Sequence, residues 1–131
     1  MDMITRLGDE HDALRAHLER IQVAANSRDS AALAASLGAA HSALTTELDA
    51  HILVEESEVF AAVAEALGES LVQPFSEEHV EIRQLRDQMY TQLARGEAPF
   101  DASLSLCELI LAHQQREDLM LFPSAREALV R

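Results

Sequence analysis

The chain is poor in the residues that build disulfide scaffolds, sheets and nucleic-acid surfaces. Its 131 residues include one cysteine, no tryptophan, four glycines and three prolines. A lone Cys107 can close no internal disulfide and can form no thiolate metal cluster. β-Branched residues are few, and Ala, Leu, Glu, Gln and Arg carry most of the sequence. These are good helix formers, so an all-α domain is expected. No apolar run approaches bilayer length. The opening "MDMITRLGDE" has neither a charged n-region nor an apolar h-region. A signal peptide is therefore not expected, and the cytoplasm is the expected location. Positive charge is also scarce: 10 Lys and Arg face 23 Asp and Glu, a net −13. Such a surface repels phosphate backbones and anionic lipid, so neither nucleic acid nor a membrane is an expected partner. The acid is spread along the chain rather than gathered in a tail, which argues against disorder.

What is present is helical periodicity. Ile4, Leu7, His11, Leu14, Leu18, Ile21 and Ala25 recur at spacings of three and four, and Asn26 and Ser27 end that stretch. A second stripe runs through Leu37, His41, Leu44, Leu48, His51, Glu55, Val59 and Ala62 to Gly68. A third runs through Val72, Phe75, His79, Ile82, Met89 and Leu93 to Gly96, with Pro74 expected in its first turn or at a kink. The fourth carries Leu106, Leu109, Ile110, His113, Glu117 and Leu121. Asp101 is its expected N-cap, and Pro123 should bend it or set off its last turn.

The sequence also repeats internally. "EHDALR" (Glu10 to Arg15) matches "EHVEIR" (Glu78 to Arg83) at an offset of 68, and "HILVEESEVFAAVAEAL" from His51 matches "HQQREDLMLFPSAREAL" from His113 at an offset of 62. The expected architecture is an up-down-up-down antiparallel four-helix bundle in one domain, residues 1–131, with pseudo-two-fold hairpins of about 1–67 and 70–131. The difference between the offsets leaves "RDSAALAAS" as surplus, and predicts an extra helical turn there or an overshooting second helix.

A histidine sits centrally on each stripe: His11, His51, His79 and His113. Glu55 and Glu117 follow two of them at i+4. Four residues advance a helix by about 400° and about 6 Å, so each His and its Glu face the same way. Unpaired carboxylates in a core cost several kcal/mol or shift their pKa until neutral. A pair of cations would compensate: two carboxylates can bridge the metals while imidazoles cap each end. Nitrogen and oxygen ligands without thiolate suit iron, manganese or zinc. His17 lies on the flank of its helix, and His41 lies about 15 Å along the axis from His51, so neither joins this group.

The order His, His-x-x-x-Glu, His, His-x-x-x-Glu, one unit per helix, resembles the hemerythrin-like (HHE cation-binding) family, over nearly the whole chain. Ferritin-like di-iron proteins use Glu-x-x-His instead, a spacing absent here. The resemblance implies a non-haem centre of two iron ions, oxo- or hydroxo-bridged. His11 and His51 would cap one iron, His79 and His113 the other, and Glu55 and Glu117 would bridge them. Oxygen-carrying members have a second helix-3 histidine where this chain has Arg83. Arg15 occupies the matching place in helix 1, and both arginines are expected to pair with carboxylates such as Glu55 or Glu117. Oxygen carriers also use His-x-x-x-x-Asp, and Asp118 stands at that spacing, but an i+5 residue points about 140° away unless the helix bulges. Glu58, one turn beyond Glu55, is expected to be either an extra ligand or a solvated acid near the bundle end.

Three functions follow as expectations. One is binding of dioxygen or a related small diatomic ligand, for sensing, storage or redox response. The second is enzymatic turnover of peroxide or nitric oxide at an under-ligated di-iron centre. The third is iron storage or iron sensing, with metal uptake ordering the bundle.

Overall fold

The computed structural model describes residues 2–130, which are helical almost throughout, with no strand among the described residues. The all-α expectation is met. Helix α1 spans Met3–Asn26, its first turn capped by the Asp2 carboxylate accepting from the Thr5 N–H at 2.8 Å. Helix α2, Ser30–Ala39, is capped in the same way by Asp29. It accounts for the surplus segment: not a stray turn but a ten-residue helix that buries Leu33 and Leu37 against the core.

After Ala40 the chain continues as a π turn, Ala43–Glu47, helix α3, Leu48–Val54, a second π turn, Glu55–Phe60, and helix α4, Ala61–Leu67. Gly68 ends this run at φ 102°, a conformation that only glycine adopts cheaply. A short 3₁₀ turn, Glu69–Leu71, leads into helix α5, Gln73–Ala94, with Pro74 in its first turn as expected. Helix α6, Phe100–Arg116, passes through a third π turn, Glu117–Leu121, into helix α7, Phe122–Leu129. Pro123 falls in the first turn of α7, so it does mark off the chain's last helical segment.

Packing follows the stripes, with three corrections. His41 is exposed, because the helix breaks at Ala40 and turns that position outward against the Tyr90 ring. Ala62 is only half-buried and Val63 takes the core position after the π turn. Asp101 does not cap α6; it lies exposed in the first turn and pairs with Arg28 at 3.2 Å.

Helix α1 packs along α6 and α2, and α5 packs along α6. The Tyr90 hydroxyl donates to the Leu37 carbonyl at 2.8 Å, and the buried Arg86 guanidinium donates to the Leu44 carbonyl at 3.2 Å. These bonds tie α5 to α2 and to the π turn Ala43–Glu47. Buried apolar residues form two clusters. The larger includes Leu14, Leu18, Ile21, Leu33, Leu37, Leu44, Met89 and Leu106, and the smaller includes Ile4, Leu7, Val59, Phe60, Phe75, Leu121 and Phe122. Each such side chain contributes roughly 1.5–3 kcal/mol by leaving water. His11, His51, His79 and His113 lie along the chain between residues of the two clusters, so the polar site is clamped between apolar ends. None of the described helices is long and apolar enough to cross a membrane.

Candidate metal centre

All six residues singled out from the spacing are buried and converge: His11, His51, Glu55, His79, His113 and Glu117. They form two groups that share the carboxylates. One is His11, His51, Glu55 and Glu117; the other is Glu55, His79, His113 and Glu117. Within each, the candidate ligand atoms lie within 4.8 Å of one another.

The two carboxylates are aligned to serve both groups. Glu55 turns Oε2 toward His51 Nε2 at 3.4 Å and Oε1 toward His79 Nε2 at 3.1 Å. Glu117 turns Oε1 toward His11 Nε2 at 3.1 Å and Oε2 toward His113 Nε2 at 3.2 Å. Each carboxylate thus has one oxygen for each histidine pair.

The outer nitrogens of the four rings each meet an acid of their own. Nδ1 of His51 meets Glu10 at 2.8 Å, and Nδ1 of His113 meets Glu78 at 2.7 Å. Nδ1 of His11 meets Asp118 at 3.0 Å, and Nδ1 of His79 meets Glu56 at 2.9 Å. An ionised carboxylate can only accept, so each Nδ1 donates outward, and Nε2 is the ring atom left to meet the inner carboxylates or a metal. This arrangement orients histidine ligands and raises their basicity. Aromatic rings fix the same imidazoles from the side. Phe60 stacks on His79 with centroids 5.2 Å apart, and Phe122 stacks on His11 at 5.3 Å.

Of these outer carboxylates only Asp118 was singled out from the sequence, as a candidate metal ligand, although a signal exists for all four. Glu10 and Glu78 each directly precede a histidine at the 68 offset, and Glu56 and Asp118 each directly follow a glutamate at the 62 offset. The π turns beginning at Glu55 and Glu117 explain how two successive acids can both serve the site. A π turn rotates less per residue than an α turn, so the second acid is not swung fully away. Asp118 therefore does reach the centre, but at the outer nitrogen of His11 rather than at the inner ligand cluster. Glu58 is exposed, as expected.

The expectation for the arginines needs correction. Arg15 pairs with Asp12 at 3.1 Å and Asp118 at 3.7 Å, not with Glu55 or Glu117. Arg83 is half-buried and makes no ion pair with a described residue. The guanidinium that covers an outer carboxylate closely is Arg116, which donates to Glu78. Together with His113 it holds the Glu78 carboxyl below its ordinary range despite the opposing effect of burial.

The electrostatics call for a cation. Glu55 Oε2, His113 Nε2 and both oxygens of Glu117 are buried without a hydrogen-bond partner among the described residues. Orphaned buried atoms of this kind are rare and costly. Burial and the neighbouring Glu55 charge push the Glu117 carboxyl far above its ordinary range. Burial opposes ionisation of Glu55 too, but the imidazoles of His51 and His79 outweigh it and hold its carboxyl low. The two adjacent carboxylates are thus pushed apart in their ease of ionisation. The six donors, four nitrogens and two bridging-capable carboxylates, fit a pair of divalent ions. Cys107 takes no part: burial pushes its thiol up to about 12.

A cavity of about 480 Å³ opens onto this cluster. Its buried wall includes Leu14, Leu48, Ile52, Ile82, Ile110 and Gln114, and its mouth is taken up by the exposed Arg6, Glu10 and Glu47 and the half-buried His17, from α1 and residues 43–54.

A buried cage of histidines and shared carboxylates on helices defines a metal-binding helical protein. The sequence profile described as the hemerythrin HHE cation binding domain matches residues 2–125, so the chain belongs to the hemerythrin HHE cation-binding family. No curated protein and no solved structure matches the chain significantly.

Proposed function

We propose that the chain is a non-haem di-iron protein that binds dioxygen or a related small molecule for sensing, storage or redox response. In this reading the helices form an up-down-up-down four-helix bundle. His11 and His51 would hold one iron and His79 and His113 the other, with Glu55 and Glu117 shared between them. The observation that carries it is the pair of shared carboxylates, each with one oxygen toward each histidine pair, at the inner end of an accessible cavity. Protein side chains supply at most four donors to each metal in this arrangement, which leaves coordination positions for a bridge and a ligand.

Bound iron supplies Lewis acidity and one-electron redox chemistry. The chain's residues do the rest. Glu10, Glu56, Glu78 and Asp118 hold the Nδ1 protons and so fix the imidazole tautomers. The aliphatic wall excludes bulk water and strengthens every charge interaction inside.

A second reading, turnover of peroxide or nitric oxide, draws on one observation. The mouth is polar, with Arg6, Glu10, His17 and Glu47 around it, which suits entry of a hydrogen-bonding substrate and escape of water. One experiment tests both. The reduced, iron-loaded protein is exposed to air, then to peroxide, while its absorption spectrum is followed. Reversible formation of an oxygenated spectrum supports binding. Sustained peroxide loss with recovery of the starting spectrum supports turnover. A spectrum that ignores both reagents contradicts both.

A further inference from the structure

The inner wall of the cavity is built from matched pairs. Leu14 corresponds to Ile82 at the 68 offset, and Leu48 corresponds to Ile110 at the 62 offset; all four line the cavity. One pair breaks the pattern: Ile52 corresponds to Gln114. Both line the cavity and both are buried, at 1% and 3% exposure. Gln114 directly follows His113, so its amide is carried by the same helical turn as that candidate ligand. Its Oε1 is buried without a hydrogen-bond partner among the described residues. A buried side-chain amide is normally satisfied, and the apolar residue used in the other half would have avoided the loss.

We propose that Gln114 is a ligand-binding residue: its amide hydrogen-bonds a small ligand held in the cavity beside the metals. This rests on the di-iron reading above. A primary amide offers two N–H donors and one carbonyl acceptor, so it suits a ligand with lone pairs or an exchangeable proton, such as azide, hydroperoxide or water. It offers nothing comparable to an apolar guest. The amide therefore selects by hydrogen bonding within a cavity whose remaining inner wall selects only by size.

The test compares the wild-type protein with Gln114→Met, which has a similar reach without the amide, and Gln114→Ile, which copies the other half. Iron content, azide affinity by absorption titration, the infrared stretch of bound azide in H₂O and D₂O, and the Tm of the ligand-free protein are measured. Both variants should keep the wild-type iron content and bind azide about tenfold more weakly. The azide stretch should shift on deuteration in the wild type and not in the variants. Without ligand, Gln114→Met should melt at least about 3 °C higher than wild type, because an unsatisfied buried amide has been removed. Unchanged azide affinity, or a ligand-free Tm lowered in both variants, overturns the proposal. A wild-type protein that takes up no iron and shows no azide band overturns the di-iron reading and the proposal with it. An equal azide affinity with an equal shift on deuteration in all three iron-loaded proteins overturns the proposal alone.

Discussion

The two halves of the chain match at the metal centre and part company around it. His11, His51 and Glu55 have their counterparts in His79, His113 and Glu117, and the outer acids Glu10 and Glu56 have theirs in Glu78 and Asp118. Even the π turn recurs, at Glu55–Phe60 and Glu117–Leu121. Away from the centre the first half is open and the second is closed. His17 and Glu47 at the cavity mouth correspond to Leu85 and Leu109, which pack against the larger apolar cluster. Val54 corresponds to Arg116, which covers Glu78. As a result Glu10 is 48% exposed at the mouth, whereas Glu78 is 19% exposed. The extra π turn, Ala43–Glu47, lies beside this mouth, and its counterpart at 105–109 is plain α-helix. A symmetric cage has thus been given an asymmetric entrance.

The largest expected effect breaks the shared part. If Glu55 and Glu117 are equivalent bridges, Glu55→Ala and Glu117→Ala should each abolish metal binding to a similar extent, measured as metal per chain. A large difference between them would break the equivalence. The outer acids come next. Glu78→Gln should weaken metal binding by about 10–100-fold, the usual cost of losing a carboxylate behind a ligating histidine. Glu10→Gln should cost less, since its carboxylate is more exposed and has no arginine partner among the described residues. Competition with a chelator reads both.

The entrance supplies a third test. His17→Leu with Glu47→Leu copies the closed half, and should slow azide entry into the iron-loaded protein about tenfold or more without changing its metal content. Stopped-flow absorption measures the rate. A rate equal to wild type would mean that ligands enter elsewhere.

The smallest effect concerns pH in the metal-free protein. Burial and the Glu55 charge raise the Glu117 carboxyl well above its ordinary value. Burial alone would lower His51, but Glu55 and Glu10 outweigh it and raise the imidazole to about 9. The folded chain therefore keeps protons that the unfolded chain releases. His51 does so between about 6.5 and about 9, and Glu117 does so from the ordinary carboxylate range upward. Stability contributed by these protons falls as pH rises through those windows. The Tm of the metal-free protein should decline from pH 6 to pH 9. The iron-loaded protein should show the opposite trend over the lower part of that range, because metal competes with protons for the same atoms.

The convergence of the six inner residues was legible because helical spacing converts directly into direction. A His and a Glu four apart must face the same way, and the internal repeat aligns one half with the other. The outer shell was harder to read. Asp118 looks misdirected on a regular helix, and only the π turn at Glu117 lets it meet His11. Glu10 lies beside His11 in sequence yet serves His51 on another helix, which depends on how two helices are rotated against each other. The arginine expectation failed for the same reason: Arg15 and Arg83 match in sequence, but inter-helix packing gives only one of them an acid. The surplus segment announced itself through unequal offsets, while its form as a capped helix came from Asp29 and the burial of Leu33 and Leu37.

The central claim is that one symmetric cage holds two iron ions. Elemental analysis of protein reconstituted with ferrous iron under anaerobic conditions tests it most directly, after passage over a chelating resin. The account predicts close to two iron ions per chain, and none in the Glu55→Ala, Glu117→Ala double variant. Retention of iron by that double variant, or a wild-type protein that emerges without iron, would contradict it.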